Sequence, residues 1–163
     1  NGYGGLHYTD TSGRNDIITC KTAVDDNTIY FYVTTCEALS PHTDPNWMLL
    51  LIDADKDNST GWFGYDFLIN QSVISDTNTT LMRYAPESAN GPWVAQGTLE
   101  YRRGEKELEV AVPRALLNLP GDALTFDFHW CDNPTELKDP ISLCTHGDSA
   151  PNRRFNYRCV WKK

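Results

Sequence analysis

Four carboxylates near one apolar segment have the residue type and spacing of a metal site. Asp53, Asp55 and Asp57 alternate directly after the apolar run 47–52, and Asp66 lies in the apolar-rich run that follows. Ca²⁺ takes roughly six to eight oxygen ligands, and closely spaced carboxylates supply several of them from one short loop. Three like charges this close also repel one another unless a cation or water separates them. We therefore predict structural calcium at these four residues; the alternative is a solvated acidic turn that binds nothing.

The residues around these acids indicate a loop between two strands. The run 47–52 is short and unbroken, which is typical of a strand buried on both faces. Turn residues at 58–61 then end it. The spacing differs from that of an EF-hand, because no Gly follows Asn58 and the flanking segments are strand-like. Calcium bound here would hold two neighbouring strands together.

Length and charge limit the classes of protein and partner. A chain of 163 residues is long enough for one domain with a real core, and we predict a single domain over residues 1–163. The formal charge of −8 argues against nucleic acid and anionic membranes as partners, whereas neutral ligands such as glycans stay open. No run approaches membrane-spanning length. Because the sequence begins at Asn1, we interpret it as an excised module or a mature fragment.

Composition and patterning predict an all-β fold. Aromatic residues make up 12% of the chain, and 11 Gly and 9 Pro supply many turns. The only good helix candidate is 113–119, with Pro in its first turn and Pro120-Gly121 after it. We predict an antiparallel β-sandwich of about nine or more strands with one short helix. The predicted strands are 17–24, 28–36, 47–52, 65–69, 81–84, 97–101, 107–112, 124–130 and 155–161.

The five cysteines leave their pairing open. Their number is odd, so at least one is unpaired within the chain. Cys20 and Cys36 lie on one predicted hairpin, and Cys131 and Cys144 flank one loop, so either pair could form a disulfide. Buried free thiols are an equal alternative, because Cys packs well as a small apolar residue.

Six segments share the pattern of one known family, and they are 11–17, 47–55, 60–67, 112–117, 126–133 and 147–157. They span most of the chain, in order. Together they resemble the carbohydrate-binding module family 9-like domains of the DOMON-like β-sandwich group.

The resemblance implies a non-catalytic module that binds polysaccharide or oligosaccharide and carries structural calcium. Such modules are typically attached to a secreted catalytic domain, such as a glycoside hydrolase, so the implied location is extracellular or at the cell surface. The sequence contains no nucleophile elbow and no H-E-x-x-H motif that would indicate an enzyme.

Six residues are candidates for contacting a sugar. Sugar binding needs flat apolar faces and a few polar groups that fix the hydroxyls. Trp93 and Trp62 follow loop or turn residues, so we expect them to be the exposed aromatic platforms, although burial is the usual state of Trp. The polar candidates are Arg83 and Tyr84 at a strand end, and Asp127 and His129 on the outward face of one strand.

Two further hypotheses come from different functional classes. The first is a structural or spacer domain of a secreted multidomain protein, which would need calcium for stability and bind no glycan. The second is a haem domain in which Met48 or Met82 pairs with His129, although packing explains Met48 better.

Overall fold

The computed structural model describes residues 7–163, so the first six residues of the predicted domain lie outside the described part. These residues form ten strands and two very short helical segments. The fold is all-β and antiparallel, as the sequence predicts. The strands are β1 (Ile17–Val24), β2 (Thr28–Thr35), β3 (Leu49–Asp53), β4 (Phe67–Val73), β5 (Asn78–Tyr84), β6 (Trp93–Arg103), β7 (Glu107–Pro113), β8 (Ala123–Asp132), β9 (Asp148–Ala150) and β10 (Tyr157–Lys162).

All ten strands belong to one sheet that curls back on itself. Their order is β1-β2-β7-β6-β5-β4-β3-β8-β10, with β9 paired to β8 beside β10. Although β2 and β8 are far apart in this order, the ring of Phe31 lies 5.6 Å from that of Phe126 and 5.5 Å from that of Phe128. The two ends of the sheet therefore face each other across a shared interior, in a nearly closed, barrel-like arrangement.

Alternating residues fill this interior, which we call the main core. On β2, Ile29, Phe31 and Val33 are fully buried, and the residues between them are partly exposed. The same alternation on β8 places Phe126 and Phe128 in the main core. Because successive strand side chains point to opposite faces, each strand contributes every second residue.

A second, smaller set of buried residues covers part of the sheet's opposite face, and we call it the outer cluster. Strand β3 contributes to both sets: Leu50 belongs to the main core and Leu51 to the outer cluster. This explains why the run 47–52 is continuously apolar. The outer cluster consists of Leu49, Leu51, Trp62, Tyr65, Leu68, Trp93, Cys131 and Leu143.

The helical content differs from the prediction at 113–119. There the chain forms only a four-residue 3-10 turn, Arg114–Leu117, which ends at Asn118 in the left-handed conformation. The six residues between Pro113 and Pro120 offer too few hydrogen bonds to offset helix nucleation. The other helix, α1 (Ser142–Thr145), and strand β9 both lie between the predicted strands 124–130 and 155–161, where no element was predicted. No helix within residues 7–163 has the length and apolar character needed to cross a membrane.

The five cysteines are free thiols. Cys20 lies opposite Val33 in the β1–β2 ladder, so Cys36, which follows the end of β2, is not its cross-strand neighbour. Cys131 is fully buried in the outer cluster, and Cys144 packs against the same cluster. The alternative of free thiols is therefore confirmed, but their burial is confirmed only for Cys131, because Cys36 is exposed and the other three are half-buried.

Candidate calcium site and ligand cleft

Strand register brings the predicted metal ligands to one end of the sheet. Asp53 is the last residue of β3, and Asp66 immediately precedes β4. Ile52 pairs with Phe67, and the Asp66 amide donates to the Ile52 carbonyl at 2.9 Å. The hairpin ladder therefore sets Asp53 and Asp66 side by side, on the face that carries Leu51.

Asp53, Asp55 and Asp66 form a compact group that we call the acidic triad. One carboxylate oxygen from each lies within 4.8 Å of the others. Asp53 is buried, Asp66 is half-buried and Asp55 is exposed. Within residues 7–163, no side-chain nitrogen of Lys, Arg or His lies within 4.0 Å of a triad oxygen. The three negative charges are therefore not compensated by ion pairs from the described residues.

Backbone amides hold the triad carboxylates in place. The Lys56 amide donates to Asp53 Oδ1 at 2.5 Å, and the Ala54 amide donates to Asp66 Oδ2 at 2.9 Å. The Asp57 amide donates to Asp55 Oδ1 at 2.8 Å. Since a carboxylate accepts several hydrogen bonds, oxygen lone pairs remain free for a cation. The loop is thus fixed in shape while its acceptors stay available.

The electrostatics of the triad favour a positive ion. The pKa of Asp53 is raised to about 6, chiefly by burial and also by the nearby carboxylates Asp66, Asp55 and Asp127, against a hydrogen bond from the Lys56 amide that lowers it. The pKa of Asp66 is also raised, chiefly by burial. Both shifts mean that the ionised triad is unfavourable as it stands. A divalent cation removes this penalty, because it compensates the charges that burial and repulsion disfavour.

Asp57, the fourth predicted ligand, does not join the triad. Its side chain is exposed and turns back on its own loop, where Oδ1 accepts hydrogen bonds from the Ser59 amide at 2.9 Å and hydroxyl at 2.6 Å. Alternate residues share a side only while the chain is extended. After Asp53 the chain leaves the strand, and Lys56 has a φ of 61°. The alternation in the sequence therefore does not carry over to Asp57 in space.

A cleft of about 470 Å³ opens beside the triad, and we call it the Arg83 cleft. It joins two groups of residues that the sequence suggested separately: Asp55 and Asp66 as metal ligands, and Arg83 and Tyr84 as sugar contacts. The β4–β5 ladder brings the two groups together, because Arg83 lies opposite Phe67 and the Tyr84 amide donates to the Asp66 carbonyl at 2.8 Å. Its other principal polar lining residues are Ser59 and Asn118.

Ser59 and Asn118 were not identified from the sequence. Asn118 comes from the 3-10 turn after β7, far along the chain, and no motif marks it. Asn118 adopts a positive φ of 54° at the end of the turn. Asn is one of the few residues that adopts this left-handed conformation readily, so an Asn two residues before Pro120 was the available signal in the sequence.

Trp93 and Trp62 are not the exposed platforms expected from the sequence. Trp93 is the first residue of β6 and only 9% exposed, and Trp62 is 6% exposed. Their rings pack edge to face at 6.1 Å within the outer cluster. Trp93 also lies 5.2 Å from the ring of Tyr84, which lines the Arg83 cleft. Trp93 therefore packs against a residue that lines the cleft and does not line the cleft itself.

The exposed aromatic residue of this region is Phe63, which the sequence analysis did not single out. Trp62 and Tyr65 form a narrow antiparallel bridge, with Phe63 and Gly64 at its tip. Both tip residues have positive φ values, 54° and 102°, as in a type I′ turn. The tip projects Phe63 outward, 63% exposed, while Trp62 turns into the outer cluster.

Asp127 and His129 do lie opposite the main core on β8, but neither is free to meet solvent as expected. Arg158, directly opposite on β10, donates to both Asp127 oxygens at 2.7 and 2.8 Å. His129 is 1% exposed, and its Nδ1 lies 3.0 Å from the Phe155 carbonyl. Strand β10 and the segment before it therefore engage the part of this face that the alternation predicted to be open.

Burial of His129 predicts a loss of stability in mild acid. Burial lowers the pKa of His129 to about 4, although the hydrogen bond with Phe155 opposes the shift. The unfolded chain, with a pKa near 6.5, takes up the proton first, so this residue's contribution to stability falls as the pH drops from about 6.5 to 4. Between pH 7 and 5 we expect a loss of roughly 1–2 kcal/mol in the free energy of unfolding. Urea unfolding of wild type and His129→Gln should show that part of the pH dependence in wild type only.

No protein-family model matches the chain, and no curated protein or solved structure matches it. The acidic triad and the Arg83 cleft are therefore the features that bear on its function.

Proposed function

We propose that the protein is a non-catalytic, calcium-stabilised module that binds a polysaccharide or oligosaccharide in the Arg83 cleft. The observation that carries the proposal is the meeting of Asp55 and Asp66 with Arg83 and Tyr84 around one open cleft of about 470 Å³. Clefts of this size, with a few convergent polar groups, are typical of small-ligand sites. The resemblance to carbohydrate-binding module family 9-like domains supports the same ligand class.

The cleft offers the three kinds of contact that a sugar ring needs. Arg83 supplies several N–H donors in a fixed planar array, which suits adjacent hydroxyl oxygens. Asp55 and Asp66 supply carboxylate acceptors for hydroxyl protons. The Tyr84 ring, backed by Trp93, gives a flat face for the C–H side of a pyranose.

The donor set of the acidic triad fits calcium. All its ligand atoms are carboxylate oxygens, which suit hard cations, and the described residues offer no competing ion pair. Asp53, Asp55 and Asp66 hold the ion, and its charge fixes the loop that forms one wall of the Arg83 cleft. A carboxylate engaged by calcium is not available as a general acid, which agrees with a non-catalytic role.

The wider setting of the module follows from the same family resemblance. We infer that it acts in a secreted protein, attached to a catalytic domain that degrades the glycan it binds. Extracellular calcium modules operate at millimolar concentrations of the ion, which suits a loop built from only a few carboxylates.

A glycan array probed in the presence of calcium tests the ligand assignment. We expect at least one neutral glycan to retain wild type, and Arg83→Ala to weaken that binding by roughly 10–100-fold, because a hydrogen bond from a charged donor contributes about 1.5–3 kcal/mol. Arg102→Ala is the matched control, since Arg102 is exposed on β6 and does not line the cleft. A broad array that retains no wild-type protein would overturn the proposal.

Burial of the tryptophans favours a second candidate, a spacer domain without a glycan ligand. Trp62 and Trp93 contribute packing and do not offer open platforms. A spacer would still need calcium for stability, so calcium binding alone does not separate the two functions. The array does, because a spacer retains no glycan in calcium.

A further inference from the structure

A second cleft, of about 380 Å³, lies on the other side of the triad loop, and we call it the His129 cleft. The loop after β3 contributes Asp55 and Ser59 to the Arg83 cleft, and Asn58 and Phe63 to this one. The proposed function makes no use of the His129 cleft. Its principal lining residues are Phe63, Tyr65, His129, Ile141, Arg153 and Arg154.

The hydrogen bonding of His129 leaves an unused acceptor at this cleft. The Phe155 carbonyl can only accept, so the Nδ1 atom that lies 3.0 Å from it carries the proton. In the neutral ring Nε2 is then an acceptor, and this buried atom has no hydrogen-bond partner within residues 7–163. Buried polar atoms are nearly always paired. His129 is 1% exposed, so its Nε2 needs a hydrogen-bond donor that residues 7–163 do not supply.

Two arginines give the same cleft a positive charge. Arg153 and Arg154 both line it, and no carboxylate of residues 7–163 lies within 4.0 Å of either guanidinium. The cleft's own carboxylate, Asp139, accepts a hydrogen bond from the Ile141 amide at 2.9 Å. In a chain with a formal charge of −8, two arginines without ion pairs at one cleft are the feature expected of an anion site.

The remaining walls supply an aromatic face and fixed polar groups. Phe63 projects from the tip of its turn and is 63% exposed. The Tyr65 hydroxyl donates to Asn156 Oδ1 at 2.7 Å, which holds that amide in position. An apolar ring face thus lies at the same cleft as the acceptor and the cations.

We infer that the His129 cleft binds a small hydroxylated carboxylate, and that its chemical class is a uronic acid unit. A sugar hydroxyl donates to His129 Nε2, the carboxylate is bound by Arg153 and Arg154, and the C–H face of the ring packs on Phe63. Neutral hexoses lack the group that the arginines bind. This inference goes beyond the proposed function, since it assigns a second site and a charged ligand.

Titration of the full chain with D-galacturonate, followed by the ¹⁵N resonances of the histidine rings, tests the inference. We expect a saturable shift of the His129 Nε2 resonance and binding at least tenfold tighter than that of D-galactose, the neutral counterpart. The double variant Arg153→Gln/Arg154→Gln should lose tenfold or more in affinity for galacturonate. Arg102→Gln removes a charge outside both clefts and should bind as wild type does.

The outcomes separate this inference from the proposed function. An unmoved His129 resonance, equal binding of galactose and galacturonate, or an unaffected double variant would each overturn the second site. None of these results changes the array test of the Arg83 cleft, which uses neutral glycans. Conversely, if no neutral glycan on the array retains the protein, the galacturonate titration still tests the second site.

Discussion

Calcium at about one hundred times its dissociation constant should stabilise the protein by about 2.7 kcal/mol. For a chain of this length, that corresponds to a rise in Tm of roughly 5–10 °C. The physical reason is that one carboxylate oxygen each of Asp53, Asp55 and Asp66 lies within 4.8 Å of the others, without a neutralising ion pair. The folded state therefore binds the ion, whereas the unfolded chain does not. Thermal unfolding in calcium and in EDTA measures the difference.

Two single variants show whether the stabilisation comes from the triad. Asp55→Ala removes a triad ligand and should abolish the calcium effect. Asp57→Asn removes one charge two residues away, at a side chain bonded only within its own turn, and should keep the effect. Identical melting curves in calcium and EDTA for wild type, or an effect lost in Asp57→Asn and retained in Asp55→Ala, would contradict the assignment.

Trp93→Ala should cost about 3–5 kcal/mol in the free energy of unfolding, lowering the Tm by roughly 6–20 °C. Trp93 is 9% exposed and packs against Trp62 and Tyr84, so truncation leaves a cavity in the outer cluster. Urea unfolding at constant calcium measures the loss. Binding should also weaken, because Tyr84 loses its support at the edge of the Arg83 cleft.

Phe63→Ala is the matched control for this packing role. Phe63 is an aromatic residue of the same region but 63% exposed, so its removal should change the free energy of unfolding by no more than about 0.5 kcal/mol. If Trp93→Ala were as stable as Phe63→Ala while losing glycan binding, Trp93 would be an exposed platform after all and its assigned packing role would be wrong.

Nine of the ten strands in residues 7–163 were predictable because each has a simple physical pattern, and the three-residue β9 was missed. On β2 and β8, side chains alternate between the main core and the opposite face, which a single sequence displays directly. Strand β3 is apolar at every position because both faces are covered, and its length indicated a strand. What the sequence did not contain was the closure of the sheet, since contacts such as Phe31–Phe126 join residues far apart in the chain.

The candidate site was predictable only where strand geometry applies. Asp53 and Asp66 flank the loop of the β3–β4 hairpin, so their proximity follows from the ladder. The position of Asp57 does not follow from the ladder, because the loop leaves the extended conformation at Lys56. Similarly, Trp62 beside a turn could point inward or outward, and only the bridge between Trp62 and Tyr65 decides that it points inward.

The loop before β10 explains the remaining errors. It has no alternation or helical period that would show what it covers. In the structure it places the Phe155 carbonyl beside His129, and β10 places Arg158 against Asp127. The burial of this face of β8 depends on long-range contacts that no local sequence pattern encodes. For the same reason the His129 cleft could not be predicted from the sequence.

A crystal structure determined in the presence of calcium would show whether the acidic triad holds the ion at the edge of a sugar-binding cleft. We predict a cation about 2.3–2.6 Å from oxygens of Asp53, Asp55 and Asp66, with the Asp57 carboxylate still bonded to Ser59. Density showing only water between three separated carboxylates, at a saturating calcium concentration, would contradict it.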